Sequence, residues 1–454
     1  MGLFSWLREG TFSHGVHPSY HKDETRSKAI SRLPFPSQLI VPLSQHIGAP
    51  AKAVVSPGEE IFRGQVIAEA NGFVSVPIHA PATGRVKDIC LMPSAKGPHQ
   101  MSIIIDVYRA ETQEVLYGLE QNVDAMSAPD ISKAIQATGM AGLGGAAFPT
   151  HVKLQENRDY NIHTLVVNGC ECEPFLTTDH RVMLEQPEEL LRGIRYALKA
   201  TGAEKAIIGI EDNKADAAKI LNEKLKDDDP ISIELVRTKY PQGAEKMLLK
   251  SLLNIEVPAG GLPAQVGVVV DNVGTLAQLG YLLPKGEGLI ERVITITGSA
   301  VKKPGNYLVP FGTTLRFVLE TLDINVDHDK IILGGPMMGA SVASLDVPIT
   351  KGTSGILVFH ERVSIHGTDR PEYPCIKCAR CVQACPMHLN PAQLGWLAEN
   401  REYLEMSENY NLRDCFECGC CSFVCPSNIP LVQHFRIAKA YNLKNPNQLK
   451  KEVA

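Results

Sequence analysis

The sequence predicts a multidomain α/β chain: an N-terminal β barrel-sandwich, a Rossmann-like doubly wound domain, a small β-grasp domain and a C-terminal helical domain rich in cysteine. Three observations predict it. At 454 residues the chain exceeds what one ordinary core holds. Its texture changes from short strands to alternating strand and helix, then back to strands. Finally, eight of its 12 cysteines fall in two near-identical runs close to the C-terminus.

Residues from about 30 to 110 carry short β-strands punctuated by turns: Pro57-Gly58, Arg63-Gly64-Gln65 and Pro81-Ala82-Thr83-Gly84. That turn density suits a small sandwich or barrel. The stretches 54–65 and 78–86 pair as two half-repeats, similar to those of biotinyl/lipoyl-type domains. The hairpin tip Glu69-Ala70-Asn71-Gly72-Phe73 lacks the lysine such carriers bear, so a docking module is expected and a swinging arm is not.

From about 126 to 280, strand and helix alternate. Asp130–Thr138 has helical period, Thr164–Asn168 reads as an apolar strand, Pro187–Leu198 as a helix and Lys205–Ile210 as a buried strand. This is the pattern of a doubly wound parallel sheet, whose ligands sit beyond the carboxyl ends of the strands. From about 285 to 345 the strands Arg292–Thr297, Gly305–Tyr307 and Ile331–Gly335, with a helix near Leu315–Leu322, suit a ubiquitin-like β-grasp unit. The expected boundaries are 1–125, 126–284, 285–350 and 351–454.

The tail decides the chemistry. Cys375, Cys378, Cys381 and Cys385 with Pro386 read C-x2-C-x2-C-x3-C-P, and Cys415, Cys418, Cys421 and Cys425 with Pro426 repeat it. Three thiolates of each run hold three corners of a 4Fe-4S cluster, and the fourth crosses to the other cluster. One cluster then takes Cys375, Cys378, Cys381 and Cys425; the other takes Cys415, Cys418, Cys421 and Cys385. Tetrahedral zinc, the competing reading, explains neither the third x2 step nor the repeated C-P. Between the runs, Leu394, Leu397 and Leu404 recur at helical spacing over Pro391–Leu404, so a helical ferredoxin module is expected.

Composition narrows the function classes. Hydrophobic content of 44%, charge of 21% and a net charge of −5 describe a globular chain without a polybasic face, so no nucleic-acid partner is expected. The four remaining cysteines, Cys90, Cys170, Cys172 and Cys420, are poor material for a disulfide framework and suit a reducing compartment. Among these, Cys420 and the Cys170/Cys172 pair read as structural. No apolar stretch reaches the roughly 18–20 residues of a spanning helix. Met1–Gly10 is too short and polar for a secretory signal, and Phe4, Trp6 and Leu7 read as a loosely packed terminus.

A second constellation lies before and after the first buried strand. Gly142-Leu143-Gly144-Gly145-Ala146-Ala147-Phe148-Pro149-Thr150, with Lys153 after it, lets backbone N–H groups approach a phosphate. It is neither a dinucleotide fingerprint nor a P-loop. Asn168-Gly169-Cys170-Glu171-Cys172-Glu173-Pro174, then Asp179, clusters acids where a sheet binds ligand; such acids accept hydrogen bonds from ribose hydroxyls or a flavin ring.

These residues carry a resemblance. The 142–153 run is similar to the flavin-binding segment of the NADH-oxidising flavoprotein subunit of complex I. So are 168–179, Gly243-Ala244-Glu245, Asp271-Asn272-Val273-Gly274-Thr275 and the 293–307 segment, the last to its small β-grasp (SLBB-like) unit. Gly15-Val16-His17-Pro18, the 42–50 segment and Gly72-Phe73-Val74-Ser75, with the paired cysteine runs, resemble the C subunits of Rnf electron-transport complexes over nearly the whole chain.

The resemblance implies a peripheral electron-transfer subunit of an ion-translocating NAD:ferredoxin oxidoreductase, on the cytoplasmic face of a bacterial or archaeal cell membrane. It implies FMN, NADH/NAD+ and two 4Fe-4S clusters as cofactors. Its partners would be the other Rnf subunits, including a ferredoxin-like iron–sulfur subunit. Gly142, Gly144, Gly145 and Lys153 would hold the FMN phosphate side; Asn168, Glu171 and Asn272 would lie near the flavin; Glu173 and Glu245 would face NADH. Hydride would pass from nicotinamide to flavin and single electrons would leave by the clusters, with no catalytic acid or base from the protein. Three positions depart from the complex I pattern: Leu143 replaces Arg, Cys170 replaces Asp, and Gly274 replaces Glu. Rival readings are a flavin/iron–sulfur subunit of a soluble electron-bifurcating hydrogenase or dehydrogenase, and a cluster-bearing adaptor that binds no nucleotide. The A subunit of the sodium-pumping NADH:quinone reductase is a further relative, but would lack the cysteine runs.

Overall fold

The structure is a computed structural model; it describes residues 10–445 except 96, 110–111, 156–159, 326–328 and 361–370. Phe4, Trp6 and Leu7 lie outside the described residues.

The N-terminal unit is two small facing sheets. One orders Gln38–Pro42, Gln100–Val107, Gly84–Met92 and Glu60–Ile61; the other orders Lys52–Ala53, Val66–Glu69 and Ile78–His79. Leu39, Val41, Ile103 and Ile105 alternate along their strands and, with Ile61, Ile67, Ile78 and Val86, fill the space between the sheets. Where a carrier domain would swing an arm, the hairpin tip is docked. The carbonyl of Phe73 accepts from His151 Nε2 at 2.9 Å, and the two rings meet edge to face. The hairpin tip thus has a named partner in the next domain of the same chain.

The central sheet is four parallel strands in the order Ile231–Val236, Lys205–Glu211, Thr164–Gly169 and Val268–Asn272. The interior strands are apolar on both faces because helices cover both, as parallel sheets require. The helix Pro187–Thr201 packs on Val273–Leu282 so closely that a Cβ on Gly193 would lie 1.8 Å from the Leu276 carbonyl oxygen. Register places Asn168 beside Asn272 at the carboxyl ends of two adjacent strands. Chain direction splits there, with Thr164–Gly169 flanked by strands that leave to opposite sides, and a crevice opens.

The β-grasp sheet is larger than its central sequence stretch suggests. Its order is Ile30–Arg32, Gly305–Pro310, Glu291–Thr297, Gly355–His360, Asp329–Leu333 and Ala340–Ser341. Gly355–His360 is buried at its first five positions because it is inserted between Glu291–Thr297 and Asp329–Leu333. Ile30–Arg32, at the start of the strand-rich stretch from about 30 to 110, pairs in parallel with Asn306–Leu308 of the β-grasp sheet.

The C-terminal unit is helical among the described residues: Arg380–Ala384, Pro391–Glu399, Tyr403–Glu408, Cys420–Phe423 and Leu431–Lys444. The leucine spacing over Pro391–Leu404 is divided between two helices. Arg401 takes a left-handed φ of 61°, which no helix continues, and Asn400 closes the first helix by donating to the Trp396 carbonyl. A strap from the N-terminus ties this unit to the central one: Val16 and Tyr240 exchange both backbone hydrogen bonds at 2.9 Å, and Gly15 N donates to the Ala384 carbonyl.

Candidate functional site

The crevice deepens into a cavity of about 930 Å³. Gly142, Gly144, Gly145, Lys153, Asn168, Glu171, Glu173, Glu245 and Asn272 all line it, although they come from five separate stretches of chain. Segments from the barrel, the β-grasp sheet and the second cysteine run complete the wall, the last through Arg413, Asp414, Cys415 and Phe416.

The glycine loop is held open by its neighbours. Gly142 N donates to the Phe148 carbonyl at 2.8 Å, Leu143 N to Thr275 Oγ1 at 2.9 Å, and Ile47 N to the Ala147 carbonyl at 3.0 Å. Beneath it, the buried Arg292 guanidinium donates to the carbonyls of Leu143 and Lys351. Leu143 is 5% exposed and packs in the core, so the position that carries arginine in the complex I pattern supports the loop from below. Gly145 has φ 109° with open space where a Cβ would project, a conformation that glycine adopts without strain.

The acids have distinct partners. Glu171 accepts from Thr178 Oγ1 and Asp179 N at 2.9 Å and from His180 N at 3.3 Å, so it caps the Thr178–Glu185 helix. Glu173 accepts from Met337 N and Met338 N at 3.0 and 2.8 Å, which fastens the Gly335–Gly339 loop; burial pushes its pKa up to about 7. Asp179 accepts from Asn272 Nδ2 at 2.7 Å, and burial followed by the Glu171 charge raises it to about 7. Asn272 also caps the Val273–Leu282 helix through Thr275 N. Glu245 pairs with Lys153. Burial works against the Lys153 charge, but Glu245 and Asp271 outweigh it and hold the ammonium above its ordinary range. Asp414 accepts from Gly260 N at 3.0 Å. Asn168 donates to the Gly243 carbonyl and accepts from Cys170 N, bracing the turn that carries the acids.

Three wall residues that the sequence reading passed over are unfinished. Gln45 Nε2, Asp271 Oδ2 and Thr150 Oγ1 are buried without a hydrogen-bond partner. Burial raises Asp271 to about 6. An orphaned carboxylate oxygen costs about 1–3 kcal/mol or more, so a donor-bearing occupant is called for, and the hydroxyl-rich side chain and ring N–H of a flavin nucleotide meet that need. The adjacency of Asp271 to Asn272 in the D-N-V-G-T segment was the available signal. The remaining two thiols are committed: burial raises Cys170 and Cys172 well above the ordinary thiol range, and Cys172 Sγ accepts from Gly243 N.

The two cysteine runs repeat each other in backbone as well as in sequence. Left-handed residues recur at equivalent places: Lys377 and Glu417, Ala379 and Gly419, His388 and Asn428. Such turns aim successive N–H groups at the sulfurs. Cys385 Sγ receives N–H groups of Leu389, Met387 and His388, Cys415 that of Glu417, and Cys418 that of Cys420. Cys385 lies within electrostatic reach of Cys415, Cys418 and Cys421, whereas Cys381 feels Cys425 and Cys378. Burial pushes Cys415 up to about 11 and Cys421 beyond. Cys420 is fully buried beside Cys418 and Tyr240. Tyr240 Oη donates to the Cys418 carbonyl at 2.6 Å, joining the cavity wall to the second run. Among the described residues no helix is long and apolar enough to cross a membrane.

Comparison with known families agrees domain by domain. Residues 135–280 match the Nuo51 FMN-binding domain, 10–109 the RnfC barrel sandwich hybrid domain, 293–340 the SLBB domain and 374–429 the 4Fe-4S dicluster domain. The C subunit of the proton-translocating ferredoxin:NAD(+) oxidoreductase complex of Clostridium ljungdahlii is 42% identical over 95% of this chain and 94% of its own. The C subunit of the Na(+)-translocating complex of Acetobacterium woodii is 40% identical over 95% and 97%. The C subunit of an ion-translocating oxidoreductase complex of Haemophilus influenzae is 36% identical over 94% of this chain and 64% of its own, longer length. With FMN-binding and dicluster domains in one chain and this likeness from end to end, the protein belongs to the RnfC family, the C subunits of Rnf-type NAD:ferredoxin oxidoreductase complexes.

Proposed function

We propose that this chain is where electrons pass between NAD(H) and an ion-translocating membrane complex. In this reading Gly142, Gly144, Gly145, Lys153, Asn168, Glu171, Glu173, Glu245 and Asn272 frame FMN and the nicotinamide nucleotide. Cys375, Cys378, Cys381 and Cys425 hold one 4Fe-4S cluster; Cys415, Cys418, Cys421 and Cys385 hold the other. When bound, FMN and the clusters supply the exchange between a two-electron donor and one-electron carriers. The chain's own residues bind and orient. The glycine loop lets backbone amides reach a phosphate, and the start of the Val273–Leu282 helix adds its dipole. Asp271 Oδ2 stands ready to accept a hydroxyl or ring N–H. Glu171 and Asn168 act one step back, holding the turn and helix that carry Asp179 and Cys170.

One observation carries the reading: the cavity that gathers the flavin-type residues also has Cys415 and Phe416 in its wall. Nucleotide side and second cysteine run therefore share one cavity. Cys375 and Cys378 are exposed, with Tyr373 and Ile376 exposed beside them, and this face suits a ferredoxin-like iron–sulfur subunit of the complex. The chain would sit peripherally on the cytoplasmic side, where NAD(H) is available, held by its partner subunits. The test is anaerobic reconstitution of the full chain with iron, sulfide and FMN, recording visible spectra before and after NADH. About eight iron and one FMN per chain, with flavin bleaching by NADH, is the expected result. Full iron with no flavin retained leaves a cluster-bearing adaptor and sinks the proposal.

A further inference from the structure

The cavity has a charge imbalance at one end that the flavin-type residues do not use. Along its wall each carboxylate is answered: by a helix start, by loop amides, by Asn272 or by Lys153. The exception, the second oxygen of Asp271, lies beside Lys153. Two cations are left over. Lys246, at the second position of the Glu245–Leu253 helix, and Arg413, two residues before Cys415, both line the cavity. Among the described residues neither has an acidic partner within ion-pair reach. They belong to different domains, which are joined here by the bond from Gly260 N to Asp414 that closes the Gly260-Gly261 turn against the cluster domain.

We propose that Lys246 and Arg413 form a seat for the diphosphate of the nicotinamide dinucleotide, so that the nucleotide site is completed by the cluster domain. The inference rests on the reading of the cavity as an NAD(H) site. An unpaired guanidinium and ammonium in the wall of one cavity favour a doubly charged diphosphate over a neutral group, and Arg413 offers a fork to two phosphate oxygens. The start of a nine-residue helix, where Lys246 sits, adds positive potential of the same sign. Glycines at 260 and 261 keep side chains out of the approach; a Cβ on Gly260 would meet nothing within 4 Å. The seat also links two events: a nucleotide that bridges Lys246 and Arg413 presses the cluster domain onto the flavin domain.

The test uses the full chain loaded with FMN and clusters, and measures NADH oxidation with a soluble one-electron acceptor and inhibition by ADP-ribose. The variants are Lys246→Gln, Arg413→Gln and the conservative Arg413→Lys. With iron and flavin content unchanged, KM for NADH and the inhibition constant for ADP-ribose should each rise ~10-fold or more in the glutamine variants, kcat staying within about twofold. Arg413→Lys should recover part of the loss. Reduced nicotinamide mononucleotide, which lacks the adenylate phosphate, should lose far less. If the native chain oxidises NADH but the variants bind NADH and ADP-ribose normally, the seat is wrong and the cavity reading stands. Loss confined to NADPH, through its 2′-phosphate, also overturns the diphosphate assignment. A native chain that neither oxidises NADH nor binds ADP-ribose overturns both.

Discussion

At the scale of single residues, the unsatisfied Asp271 oxygen and the perturbed acids make the sharpest predictions. Because Oδ2 has no protein partner, Asp271→Ala should lower FMN affinity ~10-fold or more while leaving the melting temperature of the flavin-free chain unchanged or raised. A fall in that melting temperature would show the carboxylate to be structural. Asp179 behaves differently, since its pKa is raised to about 7 by burial and then by Glu171. Its unfolded value is about 3.9, so the native state holds the proton more tightly. The resulting stability is complete below about pH 4 and is lost as pH rises through 7. Asp179→Asn can still accept the Asn272 bond and has no proton to lose. Its urea midpoint should therefore gain on that of the native chain between about pH 5 and 8. A constant difference across that range would refute the linkage.

At the scale of elements, two contacts position the site. The helices Pro187–Thr201 and Val273–Leu282 meet backbone to backbone at Gly193 and Gly280, where added Cβ atoms would lie 1.8 and 1.9 Å from carbonyl oxygens. Neither backbone can yield as a flexible side chain would. Gly193→Ala should cost about 3 kcal/mol or more, read as a drop in thermal midpoint, and should shift the Asn272 cap at the start of the second helix. The cavity wall meets the second cysteine run through Tyr240 and the Cys418 carbonyl. Tyr240→Phe keeps the ring and removes the donor. The expected cost is about 1 kcal/mol in stability, with iron content unchanged and a visible change in the paramagnetic spectrum of the reduced second cluster. An unaltered spectrum would argue that the bond only fastens the domains.

At the scale of the whole molecule, the crossed ligand assignment proposed above would make the two runs one cooperative unit. Cys425→Ser should damage the cluster held by Cys375, Cys378 and Cys381, and Cys385→Ser the one held by Cys415, Cys418 and Cys421. In each case about half of roughly eight iron is lost, and the paramagnetic signal that disappears belongs to the opposite run. If each serine silences its own run instead, the crossing is refuted. The N-terminal strap through Gly15 and Val16 and the docked tip at Phe73 then explain why such a chain is built as one body: both fasten neighbours onto the domain that carries the cavity.

Much of this was legible in sequence because it is local. Cysteine spacing, the glycine run after Ala141 and the apolar period of Pro187–Leu198 are properties of short stretches, where ligand reach, backbone freedom and helix pitch are set by nearest neighbours. From these came the order of domains and the cluster chemistry, while the resemblance to the complex I flavoprotein subunit supplied the nine residues that share one cavity. What the sequence could not tell was pairing and burial between distant stretches. Nothing local assigns Ile30–Arg32 to the strand at Gly305–Pro310, or inserts Gly355–His360 between Glu291–Thr297 and Asp329–Leu333. Nor does it say that Glu171 spends its oxygens on a helix start while Asp271 keeps one free. Strand partners and hydrogen-bond satisfaction depend on which surfaces meet in three dimensions. Only the tertiary structure decided that Lys246 and Arg413, far apart in the chain, stand in the wall of one cavity.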